Sequence, residues 1–426
     1  MIPTIVIYFV LFAFWIENSI GFMLEQYLGM SMGLSWKNLS LYAVLIAWLY
    51  RVTVTRKIFQ INVLTKFLLF LLLIVLASIL VKLIILEKHQ LNLLIEIVSL
   101  KNWIEPWIFF FFIYNIIDDQ ETCKRTLYGL NFIMIITILA TFSDILGFTN
   151  FGTEGDLTYE GRYAGFAESN QYAAFIVLLL PLSLSSIFFK RNLLTYSINS
   201  IIVVLSLATL MATSSRGGIL AYFFSFLVLG FFLVRKKMIN RYQIGIGIMV
   251  AILLGIFSFI VLPQEVKDKF YERINPDQSA YNIYASEYSW HDRYSSGRTS
   301  LWLELLDIYI DSPVFGFGND ADHNQYHTST HNDYLKYLFN YGIIGFIVYV
   351  LMYISIFRYI KNMFDKTNDP YSSKIYLSYL SGFAAYLMAM FFVNMFNPRL
   401  IFWVYTATVY KYASLEEDQN LLQESE

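Results

Sequence analysis

Four arginines in this sequence sit at helix ends or in glycine-rich surroundings. Arg162 lies in Gly161-Arg162-Tyr163-Ala164-Gly165-Phe166, with Asn170 a little further on. Arg216 lies in Ser214-Ser215-Arg216-Gly217-Gly218, wedged between two apolar runs. Arg298 follows Gly297, and Arg399 follows Asn397-Pro398 in a very short polar turn. The guanidinium keeps its charge at any ordinary pH, and its planar fork pairs with phosphate through two parallel hydrogen bonds. Several such groups on one side of a membrane suit a diphosphate at the end of a lipid. At Arg216 the two glycines admit close approach, and helix-end N–H groups add positive potential. The plainer reading of Arg216 is a snorkelling side chain at a helix end.

The second constellation runs from Asp320 to Tyr334 and holds three of the chain's five histidines: His323, His327 and His331. A histidine accepts a proton near neutral pH, which general-base chemistry needs. His331 stands immediately before an apolar run, at the outer mouth of the expected helix bundle, so it is the expected base. Asp333 and Tyr334 are the neighbours to test next. The four-residue spacing of the histidines also allows a metal reading, because it stacks ligands on one helix face. Thr328-Ser329-Thr330 argues against a continuous helix there.

These residues need elements to hold them, and the composition says which. Of 426 residues, 57% are hydrophobic and 15% charged. Ordinary soluble domains have about 45–50% and about 25%. Mean hydropathy is +0.53, and the apolar residues fall in blocks of about 20, the length that crosses a bilayer core. Net charge is −2, so no basic field argues for nucleic acid. Cys123 is the single cysteine, which excludes an intrachain disulfide and a thiolate metal cluster. The expectation is an all-α polytopic membrane protein with about twelve spans. Their cores are Thr4–Leu24, Leu34–Tyr50, Leu64–Leu86, Trp103–Ile117, Thr126–Phe148, Gln171–Phe189, Ser197–Thr213, Gly217–Val234, Ile244–Leu262, Tyr334–Ile356, Ile375–Met395 and Leu400–Tyr412. The start, Met1-Ile2-Pro3, lacks a basic region and reads as a retained first helix.

Alternate loops carry Arg51, Arg56 and Lys57; Lys124 and Arg125; Lys190 and Arg191; Arg235, Lys236, Lys237 and Arg241; then Arg358, Lys361, Lys366 and Lys374. The positive-inside rule places these loops and both termini in the cytoplasm. The chain then divides into nine spans over 1–262, one large outer loop over 263–331, three spans over 332–413 and a cytoplasmic tail over 414–426. Within the loop, Thr299–Asp311 has the spacing of an amphipathic helix, with Leu301, Leu305 and Ile308 on one face, and is expected along the membrane surface.

The motifs, in order, resemble the O-antigen ligase and polymerase superfamily of bacterial envelope glycosyltransferases. They are the Arg162 and Arg216 segments, Gly297-Arg298 with Trp302, Pro313-Val314-Phe315-Gly316-Phe317-Gly318, and His331-Asn332-Asp333-Tyr334-Leu335 with Gly342 and Gly345. The resemblance implies a GT-C-like, metal-independent, inverting glycosyltransferase without a cofactor, in the bacterial inner membrane, with its active site facing the periplasm. It implies a glycan donor on undecaprenyl diphosphate, held by Arg162, Arg216 and Arg298 with Arg399 as helper. His331 would be the base, supported by Asn170, Gly217, Gly218, Asn332 and Tyr334. The acceptor is a glycolipid for a ligase, or a second lipid-linked glycan for a polymerase. The single large loop carrying the histidine looks more like ligases. A lipid-linked glycan transporter or flippase fits the span count, but it calls for internal repeats and polar residues at mid-membrane, which the sequence lacks.

Overall fold

The computed structural model describes residues 2–19, 35–56, 59–85, 93–149, 163, 168–189, 192–239, 242, 253, 255–260, 262–274, 295, 298–324, 330–395 and 398–425. Among the described residues there is no strand, and eight helices are long and apolar enough to cross a membrane. These are α1 (Ile2–Ser19), α2 (Trp36–Thr55), α3 (Val63–Ile85), α5 (Gln120–Ile145), α6 (Ser169–Phe189), α7 (Leu193–Ala212), α8 (Arg216–Arg235) and α12 (Asp333–Lys366). Three more are long but less apolar: α4 (Leu93–Ile116), α13 (Pro370–Ala389) and α14 (Pro398–Ser425). Each expected span overlaps one of these helices except Ile244–Leu262, most of which lies outside the described residues, as do 20–24 of the first span; Ile375–Met395 is corrected, because its helix stops at Ala389.

The short fourth span is corrected. Trp103–Ile116 is the second half of a longer helix, Leu93–Ile116, which carries Glu96 and Lys101 ahead of the expected span and Glu105 just inside it. These charges interrupt the apolar run in sequence, but neighbouring helices pair them. Lys82 of α3 meets Glu96, and Lys37 and Lys101 lie 2.8 and 3.2 Å from Glu105. A buried ion is tolerated when it is paired, so the helix continues through a stretch that hydropathy alone breaks.

Helix α6 lies at the centre. It is apolar all round, which is the pattern of a fully surrounded helix, and nearly every residue from Ser169 to Ser186 is buried. It packs against α13, α7 and α8. Gly382 of α13 permits the closest of these approaches, because a Cβ there would come 2.1 Å from the Leu178 carbonyl oxygen.

Helix α12 is broken at Gly342, with φ 66° and ψ −173°. That backbone is open essentially to glycine alone, and a Cβ would collide with the Val314 carbonyl. The break frees backbone groups that the preceding loop satisfies. Phe317 and Gly318 N–H donate to the Phe339 and Asn340 carbonyls at 3.1 and 2.9 Å, and Ile343 N–H donates to Pro313 at 2.9 Å. The expected span Tyr334–Ile356 is therefore two helical pieces, 333–341 and 343–366, clasped by the Pro313–Gly318 segment.

Candidate functional site

His331 sits in a left-handed backbone conformation, φ 47°, just ahead of α12. The residues on both sides of it are fixed. Asn332 caps the helix, its side chain accepting from Tyr334 and Leu335 N–H at 3.0 and 3.1 Å. Asn394 Oδ1 accepts from the Thr330 hydroxyl at 2.8 Å and from Asn332 N–H at 3.0 Å. Trp302 Nε1 donates to the Thr330 carbonyl at 2.7 Å. His331 itself is only partly buried. Burial and then the Arg298 charge lower its pKa from the ordinary 6.5, so the imidazole is neutral at pH 7.

Arg298 and Trp302 arrive on one helix, α10 (Arg298–Tyr309). Leu305 anchors it in a small core with Phe317, Ala321 and Phe339, and Leu301 and Ile308 pack beside it, as their shared face predicts. The helix therefore docks on the first piece of α12. Its opposite side is exposed and mixed, with Leu303 and Leu306 beside Glu304 and Asp307. Arg298 Nη1 donates to the Phe392 carbonyl at 2.8 Å.

The same residue meets the Arg216 turn. Ser215 caps α8, its hydroxyl accepting from Gly218 N–H at 3.3 Å, after Ser214 at φ 51°. A Cβ on Gly217 would come 2.4 Å from Phe392, and one on Gly218 would come 2.4 Å from Ala173 Cβ. The two glycines thus admit neighbouring protein, Phe392 and helix α6, where the sequence suggested room for an anion. Arg216 is the first residue of α8 and is half-buried. Arg162 lies outside the described residues. Tyr163, the next residue, donates its N–H to the Ala212 carbonyl at 3.3 Å, at the end of α7 that leads into this turn. Asn170 side-chain and backbone nitrogens bond Glu168 at the start of α6.

Arg399 is placed differently. Its guanidinium lies 3.1 Å from Asp333, and both are buried. Asp333 also accepts from Met395 N–H at 3.2 Å and from the Tyr349 hydroxyl at 3.3 Å, while its own N–H donates to the Met390 carbonyl at 2.8 Å. The Tyr334 hydroxyl donates to the Leu387 carbonyl at 2.9 Å. Both side chains named as substitutes for His331 are thus engaged in the interior. His327 and the side chain of His323 lie outside the described residues. The left-handed backbone at His331 keeps it off any helix continuing from α11 (Ala321–Asn324).

Sequence reasoning missed the segment that gathers all this, the turn 390–395 after α13. Its carbonyls, Asn394 and the Phe392 ring hold Arg298, the Arg216 turn, His331's neighbours and Asp333 together. Asn394 and Asn397-Pro398 mark a polar interruption in sequence, but a carbonyl partner leaves no signature.

Residues 201–350 match the family described as O-antigen ligase. This segment is similar to the O-antigen ligase superfamily. The matched segment includes Arg216, Arg298, His331 and Asp333, and stops short of the 390–395 turn and Arg399. A protein of Haemophilus influenzae described as uncharacterized is 25% identical over 193 residues, which cover 41% of this chain and 46% of that protein. The chain thus matches about half the length of this curated relative. Eight apolar helices of membrane-spanning length, together with this match, make this a multi-pass membrane protein.

Proposed function

We propose that this protein transfers a glycan from undecaprenyl diphosphate to an acceptor hydroxyl on the outer side of the bacterial inner membrane, as an O-antigen ligase does. The observation that carries the reading is the meeting of a neutral histidine, Arg298 and the Arg216 turn on one short segment, 390–395. The lipid diphosphate is already a good leaving group, so what the reaction needs is stabilisation of negative charge on the departing oxygens. Arg216 and Arg298, with Arg162, supply it. His331 takes the proton of the attacking hydroxyl. Attack from the face opposite the diphosphate inverts the anomeric centre, and two or three arginines meet the charge demand without a metal.

Arg399 braces the site in this reading, since Asp333 already neutralises it. The termini and the basic loops face the cytoplasm, so that His331 faces the periplasm. The large outer loop carrying the histidine favours a ligase over a polymerase. The test is transfer by vesicles given an undecaprenyl-diphosphate oligosaccharide and, separately, a lipid A-core acceptor or a second lipid-linked repeat. Single transfer to the core supports the ligase, chain growth on the second repeat supports a polymerase, and no transfer to either overturns the reading.

A further inference from the structure

We propose that the end of the bundle opposite His331 holds an anionic phospholipid of the cytoplasmic leaflet, with its phosphate on Arg358. The feature is a groove of about 460 Å³ between α3 and α12, lined by Phe67, Leu351, Ile354, Ser355, Arg358 and Asn362 among others. At 1.5 Å per residue, Arg358 lies roughly 24 Å along the helix from the break at Gly342. Phe67 is in the first turns of α3, at the same end.

The lining changes character along its length as a phospholipid does. Leu351 and Ile354 are exposed, at 47% and 39%, and face the middle of the expected membrane. Ser355 follows, then Arg358, then Asn362 near the helix end. These positions recur at three- and four-residue steps, so they share one helix face. An acyl chain fits the apolar part, and a phosphodiester fits the cationic part.

The charge at Arg358 is the second observation. Two neighbouring cations have a protein partner: Arg235 and Lys361 both pair with Asp365, at 3.0 and 2.7 Å. Arg358 is exposed, and among the described residues it has no hydrogen-bond or ion-pair partner. A guanidinium at the edge of an apolar groove binds phosphate in a bidentate way, and basic pockets between helices on the cytoplasmic side select anionic headgroups. The inference rests on the helix bundle and the basic-loop topology and is independent of the chemistry at His331.

The experiment uses the full chain purified in mild detergent. Dioleoyl phosphatidylglycerol or phosphatidylcholine is added, and bound lipid is counted by native mass spectrometry. The parent is expected to retain phosphatidylglycerol preferentially, and R358A is expected to retain about ten-fold less, the value of a lost charge-assisted contact. R56A removes another exposed charge at the same end, outside the groove, and should behave as the parent. I354W fills the apolar end and should lower retention of both lipids. Glycerol 3-phosphate, which has no acyl chain, should not compete. Equal losses in R358A and R56A would reduce the effect to diffuse attraction. Full retention by R358A would leave a snorkelling arginine, unaltered retention by I354W would place the lipid elsewhere, and competition by glycerol 3-phosphate would make this a free-phosphate site. Each of these results overturns the proposal.

Discussion

The turn 390–395 has an arginine on either side, and the two are used in opposite ways. Arg399 lies against the buried carboxylate of Asp333, with Met395 N–H and the Tyr349 hydroxyl completing that carboxylate's shell. Arg298 donates to a neutral carbonyl, that of Phe392, and its charge is felt by the partly exposed His331. In sequence the two look alike, each at a helix start behind a proline or glycine. The difference lies in what each charge faces. Arg399 faces a buried carboxylate, whereas Arg298 acts on the imidazole beside it and, in the proposed reaction, on an anionic substrate.

The strongest way to sharpen this contrast is to remove the group that the charged side serves. His331→Ala should slow glycan transfer by about 10²–10⁴, the range for a positioned general base, while donor binding stays near the parent value. Side-by-side binding and turnover measurements decide it. A variant that loses donor binding but keeps its chemical step would make His331 a phosphate ligand.

The braced side should respond through folding. Arg399→Ala leaves Asp333 buried without its cation, and breaking a buried pair costs about 3–5 kcal/mol. Thermal unfolding in detergent should fall sharply. The double variant Asp333→Ala with Arg399→Ala should lose less than the sum of the single losses, because the two residues share one interaction. Simple additivity would mean that the pair does not couple and that the contrast between the arginines is false.

How much of this was legible in the sequence depends on the kind of signal. Arg216 and His331 stood out because each is a polar residue at the edge of an apolar run, and Arg298 because it follows Gly297 and opens an amphipathic helix. The helices were legible by their long apolar blocks. Helix α4 was half-hidden because Glu96, Lys101 and Glu105 interrupt the hydropathy, and their neutralising partners, Lys82 and Lys37, lie on other helices. Gly342 and the Pro313–Gly318 segment belong to the motif set, but the helix break itself was not legible, since glycines are ordinary within apolar spans. Its cause, the Pro313–Gly318 clasp, acts through backbone groups. The pairing of Asp333 with Arg399 spans 66 residues, and no local spacing encodes it.

Next in size are the arginines of the charged side. Arg216→Lys and Arg298→Lys keep the charge and lose the fork. Each should cost roughly 1.5–3 kcal/mol of transition-state stabilisation, about ten- to a hundredfold in transfer. Full activity in a well-expressed Arg216→Ala protein would return that residue to the snorkelling reading. A comparable effect is expected at the clasp. Gly342→Ala places a side chain in backbone space reserved for glycine, at a cost of about 1–3 kcal/mol, and should lower thermal stability and disturb the 333–341 piece that carries the His331 turn. An unchanged unfolding temperature would show that the helix runs straight there.

The smallest expected effect tests the contrast most directly, through protons. Burial first and Arg298 second hold the His331 pKa below 6.5. The proposed transfer needs the neutral ring, so the acid limb of the rate profile should have its midpoint below 6.5, the reference value for histidine. Removing one cause should move that midpoint up while the other remains. In Arg298→Gln the proposed diphosphate contact is gone and the rate should be lower throughout, so the readout is the position of the limb and not its height. The midpoint should rise toward the ordinary value and stay beneath it, since burial persists. Stability carries the same sign. Above the unfolded pKa both states hold the ring neutral and the stability is complete. As pH falls through the depressed folded pKa, the unfolded chain binds the proton first and stability is lost. An Arg399→Lys control changes the neutralised side only and should leave the limb where it is. If Arg298→Gln leaves the midpoint unmoved, or if both variants move it alike, then His331 does not distinguish Arg298 from the arginine held by Asp333.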